Sequence, residues 1–169
     1  VAAQMLLDRG ASRVAILDVD YHHGNGTQRI FYDRDDVLYA SIHATPEREY
    51  PFLLGYAHET GAGKGQGFNF NQPLPLGTAI DSYRPALAAA LERVRAHAPD
   101  VLIVSLGVDS YIRDPVGGFA LESDDFLTLG GDIATLPMPT VFVMEGGYAI
   151  DELGRNTANV ISGFAQRRG

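Results

Sequence analysis

The stretches "RVAILDVD", "VLYASIH", "DVLIVSLGVD" and "PTVFVMEGGY" each carry a nearly unbroken apolar run, without the polar and apolar alternation of a half-solvated strand. Such runs belong to parallel strands covered on both faces. Helical patterns separate them. "VAAQMLLDRGAS" has helical apolar spacing and a glycine stop, and "NGTQRIFYDRD" reads as a short helix. "AIDSYRPALAAALERVRAHAP" is long and amphipathic, with Asp81 or Ser82 as its expected cap. "ESDDFLTLGGDIATL" and "IDELGRNTANVISGFAQ" complete the set. Strands alternating with helices predict an α/β fold around a mainly parallel sheet. One long stretch, "HATPEREYPFLLGYAHETGAGKGQGFNFNQPLPLGT", is rich in Gly, Pro and aromatics, and reads as an irregular functional loop.

The polar residues concentrate where these runs stop. In "DVDYHHGNGTQ", alternation along an extended chain sends Asp18, Asp20 and His22 to one side and Val19, Tyr21 and His23 to the other. That cluster follows the first apolar run, at the carboxyl end where open parallel sheets collect ligands. Stacked carboxylates repel and are costly to bury unless a cation neutralises them. The plainer reading is that these residues cap and turn the chain into the helix starting near Asn25. Two other strand ends favour the metal. "VLIVSLGVD" ends in Asp109, and "TVFVMEGGY" ends in Glu145, Gly146, Gly147 and Tyr148. On one rim, Asp20, His22 and Asp109 can form an Asp-His-Asp site suited to Zn²⁺, Fe²⁺ or Co²⁺, with positions left for water and substrate. The two glycines let the backbone approach and aim the Tyr148 hydroxyl inward.

Composition narrows the partners. A length of 169 residues suits one domain, and 46% hydrophobic with 20% charged residues is ordinary for a globular chain. A net charge of −8 disfavours nucleic acid and anionic membranes but not a cationic small molecule. The absence of cysteine rules out thiolate ligands, a Cys nucleophile and disulfides. No apolar stretch approaches a membrane span and no charged-then-apolar leader opens the chain, so a cytoplasmic location is expected.

Together these segments resemble the zinc-dependent deacetylase superfamily of histone deacetylases and acetylpolyamine amidohydrolases. "RVAILDVDYHHGNGTQRIFY", "VLYASIH", "EYPFLLGYAHETGAGKGQGFNFNQPLPLGT", "SLGVDSYIRDP" and "VFVMEGGY" follow its order and spacing. "LGVD" followed by "DP", "MEGGY" and the "EYPFLLG" loop are most similar to the bacterial acetylpolyamine amidohydrolases. The resemblance implies an arginase-like three-layer fold and hydrolysis of the acetyl amide of an acetylated amine. It implies zinc on Asp20, His22 and Asp109, which would polarise the amide carbonyl and activate water. Tyr148 would stabilise the oxyanion. Asp18 would orient a catalytic histidine and, with Ser41 and nearby carbonyls, surround a structural potassium ion. Asn25 takes the place of a second histidine-orienting residue. Tyr50, Val116 and Gly147 fall at substrate-binding positions, although packing beside Pro51 explains Tyr50 equally well.

The sequence also departs from that pattern. The family's general base is a tandem His pair in a "GHHA"-like segment, and nothing here matches it; His22 belongs to the metal and His23 is expected to face away. Residues 1–169 therefore resemble the C-terminal portion of a single deacetylase domain, expected to have negligible activity alone. Histone-type lysine deacetylation stays open, as does a homodimer of the longer protein. So does a non-catalytic metal-binding or assembly fragment, which size-exclusion behaviour would separate. Arginase-like ureohydrolases use two manganese ions, and one site is evident here. His43 is expected to make a structural hydrogen bond, His58 and His97 to be solvated. "GAGKGQG" lacks phosphate-loop order and reads as a flexible loop near the tunnel mouth.

Overall fold

The computed structural model describes residues 1–169. The chain runs α1 (Ala2–Asp8), β1 (Val14–Asp18), α2 (Asn25–Phe31), β2 (Val37–Ala44), β3 (Asn69–Leu74), α3 (Ile80–His97), β4 (Val101–Leu106), α4 (Asp125–Ile133), β5 (Thr140–Met144) and α5 (Ile150–Arg168). The five strands form one sheet in the order β3-β2-β1-β4-β5, with every neighbouring pair parallel. The expected α/β architecture with a parallel sheet is thus observed.

The apolar runs are unbroken because both faces of β1 and β2 are buried at every position. Residues of opposite parity supply two cores. Ala15, Leu17, Leu38, Ala40, Ile42, Leu102 and Val104 pack under α3, α4 and α5. Val14, Ile16, Val37, Tyr39 and Ile103 pack under the shorter α1 and α2. The sheet is therefore the middle of three layers.

Three expectations are corrected. The long irregular stretch contains β3, whose Asn69, Asn71, Gln72 and Pro73 disguise a strand. Proline is tolerated there because β3 is an edge. The amides of Asn69 and Asn71 both donate to Gln28 Oε1, at 3.0 and 2.8 Å. The cap position of α3 is Ala79, with no side-chain cap, so neither Asp81 nor Ser82 plays that part. "GAGKGQG" does not border the rim; Gly63–Gly65 forms a 3-10 turn before β3, and Ala62 N–H donates to Tyr32 O at 2.8 Å. It therefore packs at the opposite, amino end of the strands.

Candidate metal and catalytic site

The order of strand addition reverses between β1 and β4, which are adjacent, with β2 and β3 on one side and β5 on the other. A crevice opens at the carboxyl ends on such a switch point. Asp20 and His22 leave β1 there, and Asp109 leaves β4. Their ligand atoms all lie within 4.8 Å of one another. His22 Nδ1 is 3.1 Å from Asp109 Oδ2 and 3.6 Å from Asp20 Oδ1.

Backbone amides hold the carboxylates in place. Asp109 Oδ1 accepts from Tyr21 N–H at 3.0 Å, Asp20 Oδ1 from His22 N–H at 2.8 Å, and Asp20 Oδ2 from Gly146 N–H at 2.8 Å. Gly146 thus ties the end of β5 to a ligand of β1. Hydrogen bonds to Asp109 and Asp20 push the His22 imidazole up to about 10, while burial raises the Asp109 carboxyl. The cluster attracts positive charge, a proton on His22 or a metal ion in its place. Two carboxylate oxygens and one imidazole nitrogen fit a divalent first-row ion with open positions.

Asp18 is the last residue of β1 and is buried. Its Oδ2 accepts from the Tyr39 hydroxyl at 2.8 Å, and its Oδ1 from Asp20 N–H at 3.2 Å. Burial pushes its carboxyl up to about 8. Ser41 is its register partner on β2 and is fully buried, with Oγ 2.8 Å from His43 Nδ1.

A hollow of about 660 Å³ lies over these groups, lined among others by Asp18, Asp20, His22, Tyr50, Val116, Glu145, Gly146 and Tyr148. The structure therefore gathers most of the residues singled out from sequence. Burial first, then Asp109 and Asp20, raise the Tyr148 phenol and keep it a neutral donor. Two residues stand apart. Asn25 lines a neighbouring hollow with Gln28, Arg29 and Tyr32. At Gly147, φ is +147°, and a Cβ would press on Leu153 and Val108, so Gly146, not Gly147, faces the hollow.

None of the polar side chains in "DVDYHHGNGTQ" caps α2; Gly24 holds that place without a side-chain bond. The capping reading is thereby set aside. His23 departs from the expected sidedness. It borders the hollow, while its Nε2 meets Gln28 Oε1 at 3.0 Å and its ring lies 4.5 Å from that of His43. His43 makes the expected structural bond, to Gly55 O at 2.9 Å, and His58 is exposed. His97 is not solvated: it is buried, with Nε2 unpartnered, and burial lowers its pKa.

Sequence reasoning missed Gly107, where a Cβ would collide with Asp20. It also missed the Tyr39 hydroxyl that donates to Asp18 and the four main-chain amides that donate to Asp114. The glycine immediately after the β4 run was a visible signal for the first.

Comparison with known proteins agrees with this geometry. The profile of the histone deacetylase domain matches residues 1–164. The chain belongs to the histone deacetylase family. Acetylpolyamine amidohydrolase 2 of Pseudomonas aeruginosa is 58% identical over 97% of this chain and 48% of its own length. The acetylpolyamine amidohydrolase of Mycoplana ramosa is 50% identical over 98% of this chain and 48% of its own. The crystal structure of acetylpolyamine aminohydrolase from Burkholderia pseudomallei superposes with a TM-score of 0.95 at 46% identity, covering 98% of this chain and 48% of that one. The chain thus spans about half the length of these deacetylase-family relatives.

Proposed function

We propose that this chain is the metal-bearing portion of an amidohydrolase that removes the acetyl group from acetylated amines, with acetylpolyamines as the substrate class. The observation that carries this is the convergence of Asp20, His22 and Asp109 within 4.8 Å at the switch point. Tyr148 borders the same hollow. The polyamine preference is supported by identities of 50–58% to acetylpolyamine amidohydrolases, against 33% to a histone deacetylase homologue crystallised with SAHA. A net charge of −8 and Glu145 in the hollow suit a cationic substrate.

Asp20, His22 and Asp109 would hold a divalent ion, zinc in this reading, with Fe²⁺ and Co²⁺ compatible with the same donors. Bound there, zinc would supply Lewis-acid polarisation of the amide carbonyl and a more acidic water. The Tyr148 hydroxyl donates to the oxygen anion that develops as water adds to that carbonyl. Water adds to the carbonyl carbon, the C–N bond breaks, and acetate and free amine leave, the amine taking a proton. Tyr50 and Val116 form walls for the extended amine. Asp18 and Ser41, both buried and adjacent across β1 and β2, are the residues that would hold a potassium ion.

His22–His23 is the only tandem histidine in these residues, and with His22 on the metal in this reading it does not supply a histidine pair to accept the proton from water. Turnover by the isolated chain is expected to be negligible. Co-expression with the part of the Pseudomonas aeruginosa relative outside the matched span should restore acetate release from an N-acetylated diamine. Tyr148→Phe should then lower kcat by about 10²-fold. Failure of the zinc-loaded complex to release acetate from either an acetylated diamine or an acetyl-lysine peptide would overturn the reading. Faster turnover of the peptide would overturn only the substrate class.

A further inference from the structure

Asp114 is buried, yet touches none of the groups that would hold a metal. Its Oδ1 accepts from Val116 N–H at 2.9 Å and Gly117 N–H at 3.1 Å. Its Oδ2 accepts from Tyr148 N–H at 2.7 Å and Ala149 N–H at 3.0 Å. One carboxylate thus holds four main-chain amides belonging to two segments far apart in sequence. Each segment presents an exposed side chain to the same hollow, Val116 on one and Tyr148 on the other. Hydrogen bonds to an ionised acceptor are stronger than neutral ones, and leaving buried donors without a partner is costly. Neither segment has a regular strand or helix to fix it: Val116 follows Asp114–Pro115 in a loop, and Tyr148 lies between the end of β5 and the start of α5.

We infer that Asp114 is a positioning residue that fixes the Tyr148 hydroxyl relative to the Val116 wall, making the substrate wall and the oxyanion donor one rigid unit. This rests on the roles proposed above for Tyr148 and the metal. The loop is further seated by Gly117, where a Cβ would run into Asp109 O. Asp114 therefore links two parts of the rim, the wall loop and the tyrosine turn, through its carboxylate, and Gly117 seats the wall loop against the chain that follows β4. A neutral isostere has only one carbonyl oxygen to offer and turns an amide group toward the remaining donors.

Asp114→Asn in the 169-residue chain tests this in two arms. In the first, amide hydrogen exchange is followed by NMR. The Val116, Gly117, Tyr148 and Ala149 amides should all exchange at least 10-fold faster, while β1 amides keep their protection. Loss confined to Val116 and Gly117, or no change, would overturn the inference. In the second arm, Co²⁺ is loaded and the d–d spectrum is titrated with acetohydroxamate, a bidentate oxygen chelator. Asp114→Asn should leave the ligand-free spectrum unchanged and weaken acetohydroxamate about as much as Tyr148→Phe does. The double variant should then be no weaker than Tyr148→Phe alone. Additive losses would show that Asp114 does not act through Tyr148. If wild type and variant both fail to take up Co²⁺, the metal reading falls, and the exchange arm still decides whether Asp114 ties the two segments.

Discussion

A methyl group at Gly146 would lie 2.5 Å from Asp109 Oδ2 and 2.6 Å from Asp20 Oδ2. Both carboxylates would have to move apart, and the Gly146 amide would lose its hold on Asp20. Gly146→Ala is therefore expected to weaken zinc at least 10-fold in a chelator competition, at a folding cost of about 1–3 kcal/mol. Unchanged zinc affinity would contradict this account of the rim. His43 supports a prediction of another kind. Burial, helped by His23, holds its imidazole down to about 3, against about 6.5 in an unfolded chain. Below about 6.5 the unfolded state takes up a proton that the folded state refuses. The contribution of neutral His43 is thus fully present above pH 6.5 and lost as pH falls through about 3. It is on the order of a few kcal/mol. His43→Gln should flatten the pH dependence of urea unfolding between pH 6.5 and 4, and an unchanged slope would exclude His43 as its source. At this scale the cluster of Asp20, His22 and Asp109 was legible in the sequence, because three carboxylate or imidazole groups follow apolar runs. Asp114 was not, because four amides converging on one side chain leave no spacing pattern; only the "DP" dipeptide marks it.

At the level of elements, the strands differ in how openly their sequences declare them. β1 and β2 are buried throughout and read as unbroken apolar runs. β3 escaped because Asn69 and Asn71 on one of its faces are buried amides that bond Gln28, while Phe70 and Leu74 on the other pack against the apolar core. The short α2 shows the same effect, since its buried Gln28 also donates to Glu59 Oε2 at 2.9 Å and knits helix, strand and loop together. The junction of β1 and β2 carries the potassium expectation. Asp18 has its carboxyl raised by burial to about 8, well above about 3.9 for an unfolded chain. Its protonated form therefore stabilises the fold fully below about pH 3.9, and that contribution is lost as pH rises through about 8. In the proposed potassium site a cation would take the place of that proton. Potassium, compared with choline at equal ionic strength, should raise Tm more at pH 9 than at pH 6.5. Equal shifts at the two pH values would argue against a potassium site on Asp18 and Ser41.

Over the whole molecule, three layers deliver the ends of β1, β4 and β5 to one rim, and the site is a property of that assembly. The two edges of the sheet are unlike each other. β3 carries Pro73 and polar residues suited to an edge, whereas β5 is apolar after Thr140, with Val141 and Met144 exposed. The buried apolar cluster under α1 and α2 is also smaller than that under α3, α4 and α5. Sheet order could not be read from the chain, because parallel neighbours are set by crossover packing and not by adjacency in sequence. The rim was still inferable, since all parallel strands present their carboxyl ends on one side. Whether that rim forms a working metal cradle within these 169 residues is tested most directly by metal content. Purified chain should be equilibrated with zinc, desalted and analysed beside Asp109→Ala. About one zinc per wild-type chain, lost in the variant, is expected if Asp20, His22 and Asp109 assemble as described. No zinc in either protein, or equal zinc in both, would contradict it.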